Sequence, residues 1–273
     1  MKNYLFISIA CSLLLCCQHE PNEPIIPEEP EPEAPYVMPC GCGVEWPQEE
    51  ITCDRVLPWD YPAKPGTEEW NNLEGHQERI NTCQIPEEIL TSLSTEDLTK
   101  ICLQYPFLLD FYLYNSYELG LDALFRQFNG IRELFTREDV SNALLKEYRR
   151  LLQSQRLYFL NGTAPDGEKG LYIISTWYPE ILLSRYQSPN DAKENYIEIV
   201  HQLVCGYEKK LMYPEFSKMH TNFYARAIML VKIDQQNIQS IPFGYANCVF
   251  EHGRYDDPTE QAINDLSCQY LNR

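Results

Sequence analysis

Ser94-Thr95-Glu96-Asp97-Leu98-Thr99-Lys100-Ile101-Cys102-Leu103-Gln104-Tyr105-Pro106 lies in the stretch Ile85 to Arg156, whose apolar spacing decides the fold. Ser94 with Asp97 three residues on forms a capping-box pattern, and Leu98, Ile101 and Cys102 then share one helical face. Tyr105-Pro106 ends that helix, because the residue before a proline is pushed out of the α region. Proline suits a first helical turn, so Pro106 starts the next helix.

That second helix is expected over roughly 107–128, where Leu113, Tyr117, Leu121, Leu124 and Phe128 recur at helical spacing. Phe107, Phe111, Tyr112, Tyr114 and Phe125 widen the apolar surface beyond one face, which predicts contact from two sides. Asn115 and Gly120 are its weak points. Asn129-Gly130 reads as a helix stop, and Thr136 with Asp139 restarts a helix in which Val140, Leu144, Tyr148 and Leu151 align.

A resemblance enters on residues around this core. The run Trp59-Asp60-Tyr61-Pro62-Ala63-Lys64-Pro65-Gly66-Thr67-Glu68-Glu69-Trp70, then Cys83 to Glu88, Ser94 to Leu98 and Cys102 to Pro106, resembles a family of Bacteroidetes lipoproteins with no assigned activity. Phe128-Asn129-Gly130 and Arg137-Glu138-Asp139 continue it. About a third of the chain carries the match well, and the Pro-Gly-Thr-Glu-Glu-Trp segment is its most specific part. The resemblance implies a cell-envelope address and a helical fold, and it brings no site residues.

The chain has 273 residues, 44% of them apolar, with four Trp, 19 Tyr and 11 Phe, which is ample for one sizeable core. A net charge of −18 argues against a nucleic-acid partner, since such binding relies on clustered Lys and Arg. Part of that charge is local, because residues 18–50 hold nine Glu and no Lys or Arg.

Residues 1–16 read as a signal peptide, with Lys2 ahead of an apolar run too short to span a membrane. Leu14-Leu15-Cys16-Cys17 resembles a bacterial lipobox. Cys17 is the expected lipidation site, because the residue before the cut should be small and Cys16 is smaller than Leu15. The lipid chains imply a membrane anchor and an outer-membrane lipoprotein, exposed to the periplasm or at the cell surface. Residues 17–39 are rich in Pro and Glu and read as an extended tether. Glu20 and Glu23 resemble the export signals of some surface lipoproteins, and a plain solvated linker fits them equally.

Residues 40–84 form a cysteine-containing strap on the helical domain of residues 85–273. Cys40, Cys42, Cys53 and Cys83 suit disulfides in an exported protein, or a zinc site, although Cys-x-Cys is tight for the usual knuckle. Trp59, Tyr61 and Trp70 either anchor the strap or present an aromatic platform to sugars.

Beyond Arg156, Asn161 to Gly170 reads as a loop, and Leu171 to Tyr186 as a helix broken or bent near Pro179. Ser188-Pro189 opens a helix with Ala192, Tyr196, Ile199, Leu203, Tyr207 and Leu211 on one face, ended by Pro214. Thr221 to Ile233 is a more uniformly apolar helix with Tyr224, Ala227, Ile228 and Val231 innermost. Thr259 to Leu271 closes the chain as an amphipathic helix. The expected fold is all-α, with stacked antiparallel helical hairpins, or alternatively a compact irregular bundle.

Chemistry-bearing patterns are sparse. The histidines lie in no His-x-x-x-His pattern, so no metal is expected, and no phosphate-binding glycine loop is present, so neither nucleotide nor other cofactor is expected. His201 and Cys205 share a helical face, but Cys205 reads as a small apolar residue. Glu251 to Asp257 is the densest polar cluster, and His252 with Arg254 supplies the acid–base and anion-binding groups a hydrolase would need. The reading with most support is a non-enzymatic binding scaffold for a protein or glycan partner.

Overall fold

A computed structural model of the chain describes residues 56–161, 175–211, 220–234 and 257–272. Among these residues are eleven α-helices, one 3-10 helix and no strand, so the fold is all-α. The expected strap contains local helix: α1 (Glu68–Asn71) and α2 (Gly75–Thr82), followed by α3 (Glu87–Leu90). Thr67 caps α1 by accepting from the Trp70 amide at 3.3 Å.

α4 (Thr95–Leu103) begins where its capping pattern places it, with the Ser94 hydroxyl accepting from the Asp97 amide at 3.1 Å. Leu98, Ile101 and Cys102 are buried together on it. The expected helix over 107–128 is two elements, a 3-10 helix (Leu108–Leu113) and α5 (Tyr117–Gln127). The break falls beside the Asn115 weak point, where Ser116 takes an extended conformation and its hydroxyl accepts from the Leu119 amide at 3.2 Å. Leu113 is therefore on the surface, 80% exposed, while Tyr117, Leu121, Leu124 and Phe128 stay buried as the spacing requires.

α5 stops at Gln127, just ahead of Asn129-Gly130, and that pair also opens α6 (Asn129–Leu134). The physical reason is a two-way clasp: the Asn129 side chain accepts from the Ile85 amide at 3.0 Å and donates to the Ile85 carbonyl at 2.7 Å. Thr136 does not cap the next helix. Its hydroxyl donates back to the Glu133 carbonyl at 2.7 Å, and α7 (Val140–Asn161) starts four residues later. On α7, Val140, Leu144 and Tyr148 are buried, and Leu152 takes the inner place expected of Leu151. Thr95 donates to Asp139 and Lys146 pairs with Glu96, both at 2.7 Å, joining α4 to α7.

α8 (Trp177–Leu183) starts after a turn at Thr176 and carries Pro179 in its first turn, where a missing amide hydrogen costs nothing. Leu171 to Ile174 and Pro214 lie outside the described residues. α9 (Lys193–Lys210) keeps Tyr196, Ile199, Leu203 and Tyr207 buried, with Ser188 accepting from the Ala192 amide at 3.1 Å ahead of it. α10 (His220–Ile233) packs against both α8 and α9, and α11 (Asp257–Leu271) packs against α9 and α10. Ile228 and Val231 are only half-buried on α10, whereas Phe223, Ala225, Met229 and Leu230 are the buried residues beside Tyr224 and Ala227.

The strap aromatics enter the core. Tyr61 donates to the Ile101 carbonyl at 2.8 Å, and its ring meets Trp59 edge-on at 4.7 Å. Tyr105 stacks on Phe128 at 4.1 Å, Trp70 lies 5.2 Å from Phe107, and Arg79 sits 5.3 Å over Trp70. Each buried ring of this cluster contributes about 1.5–3 kcal/mol by removal from water.

Candidate functional site

A cleft of about 650 Å³ is bounded by four stretches that are distant in sequence. Tyr224, Ile228 and Lys232, one turn apart on α10, form one wall. Phe125 of α5 and Phe135 after α6, with rings 4.9 Å apart, form the apolar side. Ser184 to Gln187, leaving α8, close the end.

The cations of the cleft are set deeper than its acids. Lys232, Arg185 and Arg137 are half-buried, Arg137 being paired with Glu133 at 2.7 Å, while Glu118 and Glu138 are exposed. Arg185 pairs with Asp122 and lies 5.4 Å over the Phe125 ring. Lys232 is held by the Tyr186 carbonyl, by the Ser184 carbonyl at 3.4 Å and by the Tyr196 ring face at 5.5 Å. No carboxylate among the described residues pairs with it. An ammonium has three donors, and two carbonyls account for two of them.

Burial, and then the repulsion of Arg185, lower the Lys232 ammonium to about 8. An unfolded lysine titrates near 10.4, so between about pH 8 and about pH 10.4 the unfolded chain binds this proton more tightly. Stability from this group therefore rises with pH across that window. Relative to Lys232→Met, the urea midpoint of the natural protein is expected to climb between about pH 7.5 and about pH 9.5, by about 1 kcal/mol after allowance for solvent screening. Parallel profiles for the two proteins would contradict it.

Behind the cleft, a polar network joins the helices and is closed to water. Glu180 of α8 accepts from Tyr148 at 2.7 Å, from Thr221 at 2.6 Å, from Asn222 at 3.3 Å and from Lys210. The Glu180 and Lys210 side chains are 0% and 1% exposed. Burial pulls Lys210 below the usual lysine range, opposed by the Glu180 charge. Asn222 also donates to the Leu203 carbonyl at 2.9 Å, tying α10 to α9. Gly206 permits the closeness, since a Cβ there would lie 2.1 Å from the Tyr148 hydroxyl.

Arg226 extends this interior toward α11, donating to Asn264 at 2.9 Å and lying over the rings of Phe223 at 4.4 Å and Tyr207 at 4.7 Å. Burial lowers it to about 10. It stands two residues from Tyr224 and Ile228, about 200° around the helix, so α10 presents one face to the cleft and another to the sealed network. With no solvent access, the network fastens helices together and offers no seat for a reacting molecule.

The residues singled out from sequence fall elsewhere. Trp59, Tyr61 and Trp70 are 9%, 6% and 9% exposed, which corrects the sugar-platform reading: their rings are used up in the core, as strap anchors. Cys83 is a free, fully buried thiol, so the disulfide reading does not hold for it; burial pushes it up to about 11. Cys205 is likewise free and buried. Cys268 is disulfide-bonded. Cys17, Cys40, Cys42, Cys53, His252 and Arg254 lie outside the described residues.

Sequence reasoning missed Glu180, Lys210, Arg226 and Lys232. A signal existed for the last two, since each is a cation inside the otherwise apolar run 223–233. Among the described residues no group of three or more His, Cys, Asp or Glu is placed to hold a metal ion, and no helix is long and apolar enough to cross a membrane. Compared with known proteins, the chain matches no family model, no curated protein and no solved structure.

Proposed function

We propose that this chain is a non-enzymatic binding protein of the cell envelope, tethered by lipid on Cys17, with its ligand seat in the cleft beside α10. The tether and address rest on the apolar leader, the Leu14-Leu15-Cys16-Cys17 motif and the Pro/Glu-rich run after it. The seat rests on one observation: a concavity of about 650 Å³ with an aromatic wall and inward cations, a volume in the range of small-molecule sites. The all-α body, which we read as stacked hairpins, acts as the rigid frame for that seat. The strap is part of the frame, since its aromatics are packed inside.

Ile228 is half-buried at the middle of the cleft wall, so a tryptophan there fills the seat without entering the sealed interior. The full chain and Ile228→Trp, each incubated with envelope extract and weighed by native mass spectrometry, are expected to differ. The natural chain retains a bound small molecule, and the variant loses at least tenfold of that occupancy while keeping its helical circular dichroism. Equal occupancy in the two proteins would place the ligand elsewhere.

A further inference from the structure

The proposal that the cleft is a ligand seat leaves the ligand's chemistry open, and the charges inside the cleft narrow it. Resting on that reading, we infer that the seat takes an organic carboxylate, with the acid group between Lys232 and Arg185 and an apolar or aromatic body against Phe125, Phe135 and Ile228.

Lys232 is a half-buried cation with no carboxylate partner among the described residues, and a second cation, Arg185, lines the same cleft. Two backbone carbonyls orient its ammonium but do not neutralise it. Arg185 has one carboxylate, Asp122, and its guanidinium offers five donors, more than that single pairing uses. A carboxylate lying between the two relieves their repulsion and accepts from both. In a chain of net charge −18, these cations stand out against the overall charge and draw an anion to the cleft. The exposed Glu118 and Glu138 at the rim oppose a polyanion, which favours an acid of low charge over a phosphate-rich molecule.

The apolar side supplies the other half. The edge-to-face pair of Phe125 and Phe135, with Ile228 across from them on α10, gives a ring or alkyl body a surface to cover. Those residues and the two cations line one cleft, so a single small molecule reaches both.

The full chain would be titrated with 1-naphthylacetate, with its uncharged amide 1-naphthylacetamide and with inorganic phosphate, by calorimetry. The acid is expected to bind at least tenfold more tightly than the amide and than phosphate. Lys232→Met loses about tenfold in affinity for the acid, and Lys232→Arg, which keeps the charge, retains it. Equal binding of acid and amide would overturn the carboxylate inference and leave the cleft standing as a seat. Phosphate binding as tightly as the acid would overturn the organic half. If neither naphthyl compound binds, this inference fails, while occupancy in the Ile228→Trp comparison still decides the seat. Unchanged acid affinity in Lys232→Met would also overturn it, and a helical circular dichroism equal to that of the natural chain in that variant excludes misfolding as the cause of a loss.

Discussion

Replacing Glu180 by leucine is expected to cost about 3–5 kcal/mol of folding stability, because it removes the buried carboxylate that faces the buried Lys210 ammonium. The same change removes the acceptor that Tyr148 and Thr221 donate to. Against a total of about 5–15 kcal/mol for a domain, that loss leaves little folded protein. Glu180→Gln keeps the shape and one acceptor, so it isolates the charge and should cost less.

The informative comparison is the double variant Glu180→Leu with Lys210→Met. Removing both charges takes away the desolvation cost along with the attraction, and an apolar pair of similar volume is often neutral or better. Most of the single-variant loss should therefore be recovered. Urea denaturation followed by circular dichroism measures all four corners of this cycle. A loss under about 1 kcal/mol in Glu180→Leu would contradict the buried pairing.

Gly120→Ala is expected to destabilise by about 2–3 kcal/mol, the reverse of what helix preference alone dictates. On an exposed helix surface the change would stabilise by about 1 kcal/mol, since alanine is the better helix former. Here a Cβ would lie 2.3 Å from the Phe111 carbonyl oxygen and 2.6 Å from the Phe111 Cα. Those are backbone atoms, so no side-chain rotation relieves the clash, and α5 must separate from the 3-10 helix. Phe111 is fully buried and its ring meets Tyr117 at 5.7 Å, which makes that separation costly. A gain in stability would show that the two elements are not in contact.

Gly120 also shows how far periodicity carries a reading. The residue reads as a weak point in a long helix, and its real role is a contact that spacing does not encode. Leu113 matches the apolar stripe numerically, yet Ser116 caps a new helix and leaves it in solvent. The N-cap at Ser94 and the stripes through Leu121 and Leu203 are legible because each depends on neighbours within a few turns.

The site was not legible in that way. Glu180 meets Lys210 across 30 residues and Tyr148 across 32, and the cleft draws on stretches from Glu118 to Lys232. Nothing local distinguishes Glu180 from a surface carboxylate, although a cation within the apolar run of α10 does mark Arg226 and Lys232 as unusual. Conversely, Trp59, Tyr61 and Trp70 look like a binding surface in a proline-rich segment because loop aromatics are visible in sequence and their burial is not.

The claim that the cleft is a carboxylate seat is tested most directly by hydrogen–deuterium exchange of the full chain with and without saturating 1-naphthylacetate. Slower exchange at Arg185 to Gln187 and along the Tyr224, Ile228 and Lys232 face of α10 is the expected result. Protection confined to other helices, or none at all under saturation, would contradict it.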